Sequence, residues 1–129
     1  MITLNTHLGE ARIVESTSEL PDLTSCKILY RDVETLNSQQ GGEGLNPWLG
    51  DRICGVAVTV DDAEGGWYVP VRHSDTRWNL PLENVQKWLR DQNAIPKWVN
   101  HNVVFDQGFL YQDDAEFPGE LIDTLTMAK

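Results

Sequence analysis

The chain has 129 residues, 40% of them hydrophobic, and a formal net charge of −10. That length suits one compact domain, and that hydrophobic share excludes a disordered chain. The 10 Lys and Arg residues form no run, which excludes a wide basic surface that holds nucleic acid by charge alone.

No apolar stretch approaches the ~20 residues that span a bilayer. The first residues, "MITLNTHLGEAR", have neither the basic start nor the apolar core of a secretory signal. The expectation is a soluble, cytoplasmic protein with no membrane contact. Cys26 and Cys54 lie in no metal-binding spacing and are expected to be buried free thiols.

Residues 11–15, "ARIVE", read as a short edge strand. Residues 16–25 lead through a helical turn into the first main strand, 27–33. The Gly-rich stretch after Glu34, with Gly41, Gly42, Gly44 and Pro47, is a long loop. The segments 52–62 and 65–73 are β-branched strands joined by the turn "DDAEGG", an antiparallel hairpin. Pro81 opens a helix over 81–92, with Leu82, Val85, Trp88 and Leu89 at core spacing. Trp98 and Val99 form a short strand; Val103 to Tyr111 form a helix with Phe105, Phe109 and Leu110 turned inward. "LIDTLTMAK" closes the chain as a strand and the first turn of a helix. A hairpin followed by alternating strands and helices predicts an α/β domain, a mixed sheet with flanking helices.

Chemistry enters at "ILYRDVETL", residues 28–36. Asp32 and Glu34 are i and i+2 in a strand, so they share a face. Two adjacent carboxylates repel, and each is costly to desolvate. Solvent, a basic partner or a metal ion can offset that cost. Asp106, four residues after Asn102 on one helical face, is a third candidate. Together these carboxylates are expected to converge at one sheet edge. Hard divalent cations such as Mg²⁺ or Mn²⁺ take ligands of this kind. The bland alternatives are solvated carboxylates at 32, 34 and 106, with Asn102 as a helix N-cap. Asp123, before Thr124, is expected to cap the final helix.

"ILYRDVET", "GVAVTVDDAEGGWYVPVRH", "VNHNVVFDQGFL" and "LIDTLTMAK", in this order, resemble the 3′–5′ proofreading exonuclease domain of family A DNA polymerases, in the DnaQ-like or DEDD group. The resemblance covers roughly residues 12–129. It implies an RNase H-like fold and two-metal hydrolysis of phosphodiesters at DNA 3′ ends, with Mg²⁺ or Mn²⁺. On it, Asp32 and Glu34 match the first motif, and Asn102, Phe105 and Asp106 the second. Asp32, Glu34 and Asp106 would then be catalytic and metal-binding. Thr35, Asn102 and Phe105 would bind the substrate, a single-stranded 3′ end.

The family's third motif, Tyr or His with Asp four positions later, is absent. Tyr30, Tyr68, Tyr111, His7, His73 and His101 are each followed at that spacing by another residue. Arg31 also stands where an apolar residue is common. The expectation is therefore the N-terminal part of a larger polymerase, a split-gene product or a reduced relative, with a sheet face left uncovered. Such a face invites the remaining polymerase segment, a polymerase or a second copy. The alternative to an impaired nuclease is a non-catalytic module that binds such a partner.

Overall fold

A computed structural model describes residues 1–37, 45–74 and 76–127. Residues 38–44 of the long loop after Glu34 lie outside them. Seven strands form one sheet: β1 (Ile2–Thr6), β2 (Gly9–Ile13), β3 (Ile28–Leu36), β4 (Arg52–Val60), β5 (Gly66–Pro70), β6 (Lys97–Asn100) and β7 (Glu120–Asp123). Their spatial order is β1-β2-β5-β4-β3-β6-β7. The β4–β5 hairpin and the β3–β4 pair are antiparallel; β3–β6, β6–β7 and β2–β5 are parallel. The parallel pairs require crossovers: α1 (Leu82–Asp91) lies on the path from the β4–β5 hairpin to β6, α2 (Val103–Gln112) joins β6 to β7, and β3 and β4 lie between β2 and β5. A short α3 (Thr124–Met127) follows β7.

One face of the sheet carries the core. Alternate residues Leu29 and Val33 of β3, and Val56, Val58 and Val60 of β4, pack with Val85, Trp88 and Leu89 of α1 and Phe109 and Leu110 of α2. Leu82 stays exposed and Phe105 is only partly buried. At the centre Trp98 stacks on Phe117, with ring centroids 4.0 Å apart and planes 7° from parallel. Both cysteines are free; Cys54 is buried as expected, but Cys26 is only partly buried.

A polar staple joins the distal ends of these elements. Just after β5, the Arg72 guanidinium donates to Asp113 beyond α2 and to the Ile53 carbonyl. Asp113 is buried and also accepts from Gln86 of α1. The opposite sheet face is an open concavity of ≈ 870 Å³, lined among others by Ile13, Tyr30, Asp32, Ala57, Gly66 and Tyr68. No helix among the described residues is long and apolar enough to cross a membrane.

Candidate active site

The alternation of β3 decides where its charges go. Leu29, Arg31 and Val33 are buried, whereas Tyr30, Asp32 and Glu34 are exposed on the open face. Asp32 stands opposite Ala57, and Glu34 opposite Gly55. Ala57 leaves the Asp32 carboxylate room, whereas the space over Gly55 is taken by the end of the Tyr68 ring. A register shift after Glu34 pairs Thr35 with Ile53 and leaves Thr35 half-buried; such irregularities re-aim side chains. On its other side β3 pairs with β6 only from Ile28 to Tyr30. Beyond Tyr30 that edge is free of β6.

Asp106 reaches this edge from the helix-covered face. It is buried, and Asn100 Nδ2 donates to its Oδ2 at 2.5 Å. Burial pushes the Asp106 carboxyl up to about 6; Asn100 and Arg31 pull it down, and the charges of Asp32 and Asp123 push it further up. Asp32 and Asp106 therefore sense each other from opposite sides of the β3 edge.

Arg31 lies between the two layers. Its guanidinium sits 3.6 Å from the centre of the Trp98 ring, a cation–π contact. Among the described residues none of its three nitrogens has a hydrogen-bond partner. Burial pushes it down to about 9, and the charge of Asp106 opposes this, so it remains a cation at neutral pH.

Asn102 occupies the N-cap position of α2 in the left-handed region, φ 63°. Asn is among the few side chains that tolerate it. Its side chain makes no capping bond; its backbone N–H instead donates to Asp123 Oδ1 at 2.9 Å. Asp123 also accepts from Leu125 N and so caps α3. His101 Nδ1 meets Thr124 Oγ1 at 2.9 Å. These bonds fix the turn that launches Asp106. Phe105 leans on Phe109 at 4.9 Å between centroids.

The structure places Asp32 and Glu34 exposed on the open face and Asp106 buried on the α2 side; the charges of Asp32 and Asp106 act on each other, but among the described residues the ligand atoms of the three do not form a cluster within 4.8 Å of one another. Two exposed carboxylates on one strand face are hard oxygen donors, and among the described residues neither has a hydrogen bond or ion pair. That donor set fits Mg²⁺ or Mn²⁺. Among the described residues a different group, Cys26, Asp61 and Asp62, has ligand atoms all within 4.8 Å of one another. There the Cys26 thiol, pushed up by burial and by its acidic neighbours, donates to Asp62.

Sequence reasoning missed Asn100, the partner of Asp106, and the pair Tyr68–His73, whose Oη and Nε2 are 2.7 Å apart. Arg31 was legible: strict alternation puts it on the face of Leu29 and Val33. Asn100 had no such signal, because its role depends on the direction of the following turn.

No protein-family profile matches the chain. The genome polyprotein of Human rhinovirus C (strain C15) is 32% identical over 77 residues, which is 60% of this chain and 3% of that polyprotein. Among solved structures, Brucella melitensis NrnC superposes with a TM-score of 0.57 and 23% identity, over 88% of this chain and 48% of that one. NrnC with bound Mg²⁺ gives 0.53 and 21%, over 88% and 47%. The Aedes aegypti Nibbler EXO domain gives 0.60 and 10%, over 99% and 59%. The chain spans about half the length of these structures, and it shares their RNase H-like fold.

Proposed function

We propose that this chain is a metal-dependent 3′–5′ exonuclease module acting on single-stranded DNA ends, of the proofreading kind that accompanies a DNA polymerase. The observation that carries this is the exposed, unpaired Asp32–Glu34 couple at the free edge of β3, beside Asp106, on an exonuclease-type fold. Asp32 and Glu34 would hold Mg²⁺ or Mn²⁺, with Asp106 completing the set from the α2 side. The cation supplies Lewis acidity for phosphodiester hydrolysis and offsets both the repulsion of the carboxylates and the negative balance of the chain. Thr35, Asn102 and Phe105 would position the terminal nucleotide.

Two measurements test this. Millimolar Mn²⁺ is expected to raise the thermal midpoint, because a ligand that prefers the native state stabilises it by mass action. Asp32→Ala is expected to abolish the rise. A midpoint insensitive to Mn²⁺ leaves solvated carboxylates as the better account. With a 3′-labelled single strand, the chain alone is expected to cut poorly, since it holds no Tyr or His followed by Asp at the third-motif spacing. Positioning is most of the catalysis here, and each ~1.4 kcal/mol of lost barrier stabilisation is tenfold in rate. Robust cutting that Asp32→Ala removes would show that the third motif is dispensable.

The open concavity favours a second reading, a module whose sheet face binds a protein. If a second copy covers it, solution mass is expected to show a dimer that Tyr30→Asp dissociates.

A further inference from the structure

The Tyr68 hydroxyl occupies the place that a side chain on Gly55 would fill. A Cβ built on Gly55 falls within bonding distance of Oη, and 2.3 Å from the ring carbon that bears it. Gly55 is the register partner of Glu34. Directly opposed residues in an antiparallel pair have Cβ atoms roughly 4.5–5.5 Å apart. Tyr68, itself opposite Ala57 on the same face, therefore delivers a hydroxyl to the cross-strand position next to Glu34. Glu34 and Tyr68 are not hydrogen-bonded in this structure, although the charge of Glu34 acts on the phenol; a change of Glu34 rotamer would bring its carboxylate to Oη.

The hydroxyl is held from behind. His73 Nε2 lies 2.7 Å from Oη. The backbone of His73 is clamped by Asn79, which accepts from its N–H at 2.8 Å and donates to its carbonyl at 2.7 Å. Arg72, one residue earlier, is locked to Asp113 and to the Ile53 carbonyl. A side chain fixed by several partners around it is pre-organised for a task. Burial, then the charges of Cys54 and Glu34, push the Tyr68 phenol up to about 12, so it keeps its proton across the working range. Tyr68, His73 and Asn79 belong neither to the Asp32–Glu34 motif nor to the Asn102–Asp106 motif, although Tyr68 and His73 lie within the 55–73 segment that carries the resemblance.

We infer that Tyr68, held by His73, is a positioning residue for Glu34: its hydroxyl accepts from His73 Nε2–H and donates to the Glu34 carboxylate, fixing which oxygen is offered to the cation. The inference rests on Asp32 and Glu34 being cation ligands. Carboxylate ligands depend on such outer partners, and losing one typically costs 10–100-fold in metal affinity.

The test is a Mn²⁺ titration read by the electron paramagnetic resonance of the free ion. It is made in an Asp62→Asn background, so that the Cys26–Asp61–Asp62 group does not contribute. The variants are Tyr68→Phe, Glu34→Gln and both together. The thermal midpoint without metal serves as the control for folding. Tyr68→Phe is expected to weaken Mn²⁺ binding about tenfold. The double variant is expected to bind no more weakly than Glu34→Gln, because a hydroxyl that acts through Glu34 has nothing left to orient. Wild-type affinity in Tyr68→Phe alongside a loss in Glu34→Gln overturns the inference alone, as do losses that simply multiply. Wild-type affinity in Glu34→Gln overturns the cation-ligand reading, and the inference with it. A second readout needs no metal. The ¹⁵N shifts of neutral His73 are expected to place its proton on Nε2; a proton on Nδ1 would make Tyr68 the donor to His73 and overturn the relay.

Discussion

Asp106 is ionised at neutral pH at some cost to the fold. Its folded-state value of about 6 lies above the ordinary 3.8, chiefly because it is buried. The native state therefore binds this proton more tightly than the unfolded chain. Stability falls as pH rises through the window from the unfolded value to about 6, and the cost is fully present above it. Asp106→Asn keeps an acceptor for Asn100 and removes the charge. It is expected to stabilise the metal-free protein at pH 8 by on the order of 2–3 kcal/mol. The gain should fade as pH is lowered through about 6, as denaturant midpoints across pH will show. Arg31 is the counter-charge to Asp106 in the same layer. Arg31→Met alone strands the Asp106 carboxylate and is expected to cost a few kcal/mol, whereas the same substitution in an Asp106→Asn background should cost much less. The same loss in both backgrounds would show that the two do not interact.

In the strands, local packing decides more than propensity. The β4 residue Gly55 leaves the space that the Tyr68 ring end fills, so Gly55→Ala is expected to cost about 1–3 kcal/mol through overpacking. A thermal midpoint unchanged by that substitution would mean the ring moves aside freely. The central strands were legible because Val56, Val58 and Val60, or Leu29, Arg31 and Val33, alternate with outward residues. The helix of Val85, Trp88 and Leu89 was legible for the same reason at its own period. The first strand was not. "ITLNT" buries almost nothing, and it is a strand because β2 turns back on it through Gly9, φ 114°. The burial of Asp106 was equally hidden. The helix α2 is apolar around most of its girth, with Val103, Val104, Phe105, Phe109 and Leu110, so periodicity does not say which way its one carboxylate turns.

For the molecule as a whole, the sheet is finished on one face and open on the other, and the candidate site sits where the two meet. The order of strands and helices, and the pairing of Asp32 with Glu34, came from local pattern alone. The relation of Asp106 to them did not, because it depends on how far β6 runs alongside β3, which neither strand encodes. The staple of Arg72, Asp113 and Gln86 bears on a different matter, the order of events in folding. Arg72 and Asp113 are separated by 41 positions in sequence, and Gln86 and Asp113 by 27. Closing loops of that length costs chain entropy before any contact offsets it. The staple should then form after the rate-limiting step, once β5, α1 and α2 are already in place. Arg72→Met leaves the buried Asp113 without its cation and is expected to cost about 3 kcal/mol. Nearly all of that loss should appear as faster unfolding, with the refolding limb of the chevron unchanged. Slowed refolding would place the staple in the folding nucleus instead. With late formation, the lifetime of the native state is governed by one ion pair anchored at Ile53, beside the Glu34 end of β3, and a protease added in excess would sense its loss before an equilibrium melt did.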